Sequence, residues 1–75
     1  MLFDVCLLNP QKVIFEGKAQ SIILPGEDGV FEVLPFHIRL LSRLVSGVLF
    51  IDDKNYPLQR GVAKVSQNKV TIIIE

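Results

Sequence analysis

The stretch Pro25-Gly26-Glu27-Asp28-Gly29-Val30-Phe31-Glu32-Val33-Leu34-Pro35-Phe36-His37-Ile38-Arg39-Leu40-Leu41 decides how this chain is read. It holds two of the four prolines, two of the five glycines and the only histidine. Pro25-Gly26 fits the two central positions of a type II turn, and Asp28-Gly29 is a hairpin-type pair. Residues 30–34 then read as a short strand, with Val30, Glu32 and Leu34 on one side and Pro35 ending it. Residues 36–45 are harder to read. Phe36, Leu40, Leu41, Leu44 and Val45 fall near helical spacing, with His37, Arg39, Ser42 and Arg43 opposite. That pattern predicts a short amphipathic helix stopped by Ser46-Gly47, although it lacks a good N-cap. The segment is too apolar for a solvated connection. Part of it must face the core, and two readings stand equal for the rest: it packs in the core as well, or it forms an exposed patch of the kind that marks a partner site.

On the N-terminal side, residues 2–8 read as a strand with Phe3, Val5 and Leu7 on one face, and Asn9-Pro10 signals a turn. Residues 13–24 read as one long strand, with Phe15, Gly17, Ala19, Ser21 and Ile23 sharing a face and Gly17 marking a bulge or bend. On the C-terminal side, residues 48–51 are strand-like, closed by the polar loop Asp52-Asp53-Lys54-Asn55. Residues 56–60 return with Pro57, which confines them to an edge or a bulge. Residues 62–65 and 69–74 make a hairpin about Ser66-Gln67-Asn68, with Val70, Ile72 and Ile74 alternating against Thr71 and Ile73. Turn signals every 8 to 12 residues are the signature of an all-β sandwich or barrel.

Seventy-five residues make one domain, 1–75, and 49% hydrophobic content supports a packed core. Eight basic and eight acidic side chains cancel, which argues against a nucleic-acid binder, whose affinity comes largely from neutralised phosphates. One cysteine, Cys6, cannot close an internal disulfide, which suits a reducing compartment; in an apolar strand it reads as core filler. No run approaches the roughly 20 apolar residues of a membrane helix. The N-terminus lacks the basic region and long apolar core of a signal peptide, so contact with a membrane is expected only through a partner.

Chemistry is sparse. His37 has no histidine partner, and a zinc site would need carboxylates beside Cys6 and His37. Asp52-Asp53 reads as a solvated hairpin tip rather than an acid/base pair, since neighbours in a strand point to opposite faces. The glycines of Pro25-Gly26-Glu27-Asp28-Gly29 lack the spacing and the Lys-Ser/Thr of a phosphate loop. The functional weight therefore falls on surfaces.

Together these residues resemble the N-terminal domain of the epsilon subunit of F-type ATP synthase, called delta in mitochondria. That family's pattern is Pro-Gly, two residues, Gly, then a short strand ending Val-Leu-Pro, one residue, His, two residues, Leu-Leu. Here it reads Pro25-Gly26, Gly29, Phe31, Val33-Leu34-Pro35, His37 and Leu40-Leu41. Further matches are Asn9-Pro10 leading into Val13 and Phe15, then Gly47-Val48, and Asn68-Lys69-Val70-Thr71. The resemblance implies a flattened β-sandwich of about ten short strands. It implies a non-catalytic rotor subunit of the central stalk, linking the gamma subunit to the c-ring and coupling proton flow to ATP synthesis. The location implied is the cytoplasmic face of the bacterial inner membrane, as a peripheral part of the complex. Glu27, Asp28, Gly29 and Val30 are then the expected c-ring contact, and His37, Arg39, Leu40, Leu41 and Ser42 the expected gamma contact. No catalytic residue, cofactor or metal of its own is implied.

The resemblance also implies that residues 36–45 are extended rather than helical, and that reading is adopted over the periodicity. Glu32, Phe36, Arg39, Ser46 and Val62 depart from the family's usual Gly, Gly, Pro, Pro and Gly; a bulky residue at a positive-φ site costs roughly 1–2 kcal/mol. The family normally continues into a C-terminal helical hairpin. With the sequence ending at Glu75, the expectation is a domain without the hairpin and without its ATP site. The alternative from a different class is a small β-barrel ligand-binding module or enzyme using Cys6 and His37.

Overall fold

The computed structural model describes residues 1–35 and 39–75. Nine strands run through these residues: β1 Phe3–Leu8, β2 Val13–Ala19, β3 Ile22–Gly26, β4 Gly29–Val33, β5 Leu40–Leu44, β6 Gly47–Ile51, β7 Lys54–Leu58, β8 Gly61–Ser66 and β9 Lys69–Ile74. Among the described residues there is no helix. The strands form one curled sheet in the order β2-β1-β9-β8-β5-β3-β6-β7, with β4 paired to β3. Its two arms, β2-β1-β9-β8-β5 and β4-β3-β6-β7, close on a single core, giving the expected all-β sandwich.

Alternation builds that core. Phe3, Val5 and Leu7 of β1 point inward beside Val70, Ile72 and Ile74 of β9. The parallel register Val5↔Val70 and Leu7↔Ile72 places like faces side by side. Ile22, Leu24, Val33, Leu49, Ile51 and Leu58 supply the opposing arm, and no polar or charged residue among those described is buried.

The two arms are joined by a strand that changes sheets. β5 pairs with β8 from Leu40↔Val65 to Leu44↔Gly61. At its end Leu44 also meets Gly26 of β3, and the chain continues as β6, where Phe50 and Ile51 pair with Ile23 and Ile22. The Val45 amide donates to the Pro25 carbonyl at 2.8 Å, and the Glu27 amide donates to the Arg43 carbonyl at 3.1 Å. Such corners let a flattened sandwich close without a separate connection.

Several sequence expectations change. The helical pattern of residues 36–45 gives way to β5, which confirms extension over residues 40–44; Phe36, His37 and Ile38 lie outside the described residues. Residues 13–24 are two strands. Inward parity passes from Ala19 to Ile22 and Leu24, so Ser21 and Ile23 do not share the face of Ala19. The cause lies 31 residues away, where the Asp52 carboxylate accepts the amides of Gln20 and Ser21 at 3.0 and 3.1 Å. The bulge falls opposite Leu7 and Leu8, where Phe15 and Val13 pair and Ile14 is skipped, rather than at Gly17. A Cβ on Gly17 would sit in ordinary contact with the Phe15 ring, at 3.4 Å. Phe15 in turn packs against Tyr56, with ring centres 6.4 Å apart, and closes the β2 side against β7.

Pro25-Gly26 is not the turn centre. Both residues belong to β3, and Glu27-Asp28 forms the two-residue loop between the paired Gly26 and Gly29. The positive φ of 126° falls on Gly29, a value side chains resist. The other turns follow their chemistry. Gln67 and Asn68, at φ 53° and 58°, turn β8 into β9 as a type I′ hairpin requires, with Ser66 inside the strand. Pro57 sits on the terminal strand β7.

Candidate docking surface

The tip of the β3–β4 hairpin and strand β5, predicted as separate contacts, are adjacent in the fold. The bond from the Glu27 amide to Arg43 and the pairing of Gly26 with Leu44 hold them together. Two shallow clefts flank the junction. One, of about 320 Å³, is lined by Glu27, Asp28, Leu41, Ser42, Arg43 and Val62. The other, of about 340 Å³, runs along β4, lined by Gly26, Asp28, Gly29, Val30, Phe31, Glu32, Leu40 and Ser42. Asp28 and Ser42 border both, so seven of the predicted residues (Glu27, Asp28, Gly29, Val30, Leu40, Leu41 and Ser42) lie along one continuous surface. Arg39 is exposed just before β5, and His37 lies outside the described residues.

The surface is apolar where a solvated turn and strand need not be. Val30 is 74% exposed and Leu41 71% exposed. Their neighbour Val62, paired with Arg43, adds a third exposed aliphatic side chain that the contact prediction omitted. Only the pairing of β5 with β8 brings Val62 there, and nothing local in its sequence signals it. Of the departures from the family pattern, Glu32 is exposed on β4 and accepts the Ser21 hydroxyl at 2.6 Å, while Ser46 is an exposed link between β5 and β6. Phe36 is outside the described residues.

Cys6 is not core filler. It alternates with buried Val5 and Leu7, so its half-buried thiol faces outward in a groove of about 260 Å³ with Asp4, Glu16, Gly17, Lys18 and Lys69. Beside it, the Lys18 ammonium hydrogen-bonds Asp4 at 2.5 Å. That bond and the charge of Lys18 hold the Asp4 carboxyl below its usual value, with Lys69 assisting and slight desolvation opposing. Among the described residues, no three His, Cys, Asp or Glu side chains gather as a metal site, and no helix is long and apolar enough to cross a membrane.

The fold and this surface define a small β-sandwich whose two most exposed aliphatic side chains after Met1, Val30 and Leu41, lie at one hairpin tip and the strand beside it. The chain belongs to the ATP synthase delta/epsilon chain family, whose beta-sandwich domain matches residues 2–75. Among its relatives, the ATP synthase epsilon chain of Campylobacter curvus is 36% identical over 74 residues, covering 92% of this chain and 57% of the relative. That of Chlorobium limicola is 36% identical over 78 residues, covering 97% and 89%. That of Campylobacter jejuni is 39% identical over 77 residues, covering 96% and 60%. Against the first relatives matched, the chain thus spans 57 to 60% of their length. Among solved structures, a chain of the Euglena gracilis mitochondrial ATP synthase (OSCP/F1/c-ring) superposes with a TM-score of 0.89 at 21% identity, covering 97% of this chain and 50% of that one. A chain of the Tetrahymena thermophila mitochondrial ATP synthase central stalk and c-ring gives 0.78 at 16% identity, covering 95% and 61%.

Proposed function

We propose that this chain is a non-catalytic rotor element of a proton-translocating F-type ATP synthase, carried in the central stalk between the gamma subunit and the c-ring. It acts by being clamped between them, so that torque passes through a stiff β-sandwich and no bond is made or broken on it. One observation supports this reading most: the hairpin tip and β5 adjoin and expose Val30 and Leu41 together. The tip residues Glu27, Asp28, Gly29 and Val30 face the c-ring, and Arg39, Leu40, Leu41 and Ser42, with His37, face gamma. The complex places it peripherally on the cytoplasmic face of the bacterial inner membrane. The Cys6–His37 alternative has only Cys6 among the described residues, and that thiol sits in an open groove.

The test is capture of the chain by the gamma subunit and by detergent-solubilised c-ring of the same enzyme. Leu41→Arg should weaken gamma capture by about fivefold or more, the scale of an interface residue worth at least about 1 kcal/mol. Val30→Asp should weaken c-ring capture similarly and leave gamma capture intact. A folded wild-type chain that binds neither partner would overturn the reading.

A further inference from the structure

We infer that the outer edge of β4 is a strand-docking site, which takes an extended peptide segment carrying a basic residue between apolar ones and pairs it with the main chain of Val30 and Glu32. The inference goes beyond the rotor reading, because the pairing rests on main-chain register, although the side chains that select the strand include Asp28, Val30 and Leu40 of the proposed rotor contacts.

The register fixes which main-chain groups are free. In an antiparallel strand the N–H and C=O of alternate residues point to opposite sides. The Pro25 carbonyl accepts from Val45 and the Ser21 carbonyl from Asp52, so the odd-numbered residues of β3 turn their main chain toward β5 and β6. Pro25 and Ile23 face Val30 and Glu32 across β4. These are therefore non-hydrogen-bonded pairs, and the N–H and C=O of Val30 and Glu32 point away from β3. No further strand among the described residues pairs with that side of β4.

The other sheet edges are guarded in the usual ways, by lysine, proline or bulges. Terminal strand β7 carries Lys54 and Pro57, and terminal strand β2 carries Lys18 and the bulge at Ile14. The free side of β5 is tied by the bonds of Arg43 and Val45 to the β3 end. β4 has no lysine, no proline and an unbroken register from Gly29 to Val33.

The cleft along this edge specifies the chemistry of the strand. Its charged lining groups are both carboxylates, Asp28 and Glu32, and its apolar walls are Val30, Phe31 and Leu40. Val30 and Glu32 share the outer face of β4 and Phe31 lies on the other, so a strand with cations on the outer face, their stems over Val30 and one head at Glu32, and aliphatic side chains on the Phe31 face satisfies both. A second copy of this chain satisfies them less well, since antiparallel pairing centred on Val30 sets Glu32 against Asp28, centring on Glu32 sets it against itself, and centring on Phe31 sets it against Val30, so no register gives the carboxylate a cation.

The probe is a blocked heptapeptide of alternating valine and lysine, added to the full chain while amide hydrogen exchange is followed by NMR. In the free chain the amides of Val30 and Glu32 exchange fast and that of Phe31 slowly. Saturating peptide should slow Val30 and Glu32 by about tenfold or more. Replacing the lysines by glutamate, or the central residue by proline, should abolish the effect. Glu32→Lys, at an exposed site and checked for fold by circular dichroism, should shift preference from the lysine to the glutamate peptide by about two- to fivefold. No protection of Val30 and Glu32 by excess peptide overturns the inference, as does equal protection by the glutamate peptide. So does protection in the free chain that rises with concentration as a dimer forms. Gamma and c-ring are absent from this experiment, so its failure leaves the rotor reading standing and the reverse also holds.

Discussion

Replacing Asp52 should uncouple the two halves of the sandwich more than its exposure suggests. Its carboxylate accepts two amides, those of Gln20 and Ser21, while its own amide donates to the Ser21 carbonyl at 3.0 Å. Asp52 also holds φ at 53°, in the left-handed region that Asn and Asp tolerate better than other side chains. Asp52→Ala removes both acceptor bonds, worth about 1–3 kcal/mol together. It also places a Cβ without a polar compensation at positive φ, worth about 1 kcal/mol more. Asp52→Gly relieves the second cost and keeps the first. Asp52→Asn retains an acceptor oxygen and the conformational tolerance.

The expected order of stability is therefore wild type, Asn, Gly, Ala, with Ala lower than wild type by about 2–4 kcal/mol and Asn by under about 1 kcal/mol. Urea unfolding followed by circular dichroism measures it, with unchanged slopes showing that all four unfold the same structure. If Ala lies within about 0.5 kcal/mol of wild type, the carboxylate is not what breaks the strand at Gln20 and Ser21. If Gly is as unstable as Ala, the positive φ contributes nothing.

Leu7→Ala, which empties a fully buried site between β1 and β9, should cost about 2–5 kcal/mol in the same urea assay. Gly61→Ala should be severe for its size, because the new Cβ would lie 2.4 Å from the Ile73 carbonyl oxygen; a loss of at least about 2 kcal/mol is expected in thermal unfolding. Lys18→Met should raise the Asp4 carboxyl toward 3.8, read by carboxyl NMR titration, because the bond and charge that lower it are gone. Since the folded value is depressed, this pair's contribution is present above the unfolded pKa and is lost as pH falls through the folded one. Wild type and Lys18→Met should therefore differ only slightly above the unfolded value, both side chains being exposed, and converge once pH has fallen through the lowered folded one.

Strands were readable where one face alone is buried. The alternation of β1 and β9 and the Gln67-Asn68 turn need no knowledge of distant residues. The β2–β3 break was not readable, because its cause is a carboxylate 31 residues downstream. Residues 36–45 misled for another reason. Leu40 and Leu44 face inward with Ser42, while Leu41 and Val45 face outward and are exposed. A strand that is apolar on both faces places hydrophobic residues at i, i+1, i+4 and i+5, the pattern of a helix face. Leu41, exposed on the outer face, is thus part of what misleads.

The same strand explains why the tip and the side face read from sequence as two separate segments and not as neighbours. They are at least seven residues apart in the chain, from Val30 to His37, and turn chemistry says only that each is exposed. Their adjacency comes from β5 leaving β8, meeting Gly26 at Leu44 and continuing as β6 along β3. A hairpin tip held only by its own strands would sway at its end. This tip is held from outside as well, by the Glu27 bond to Arg43 and the Val45 bond to Pro25. A load applied at Glu27, Asp28 and Val30 therefore enters both arms of the sandwich at once, with β5 taking it directly. That geometry suits the rotor role proposed above, in which force passes between two partners through the sandwich.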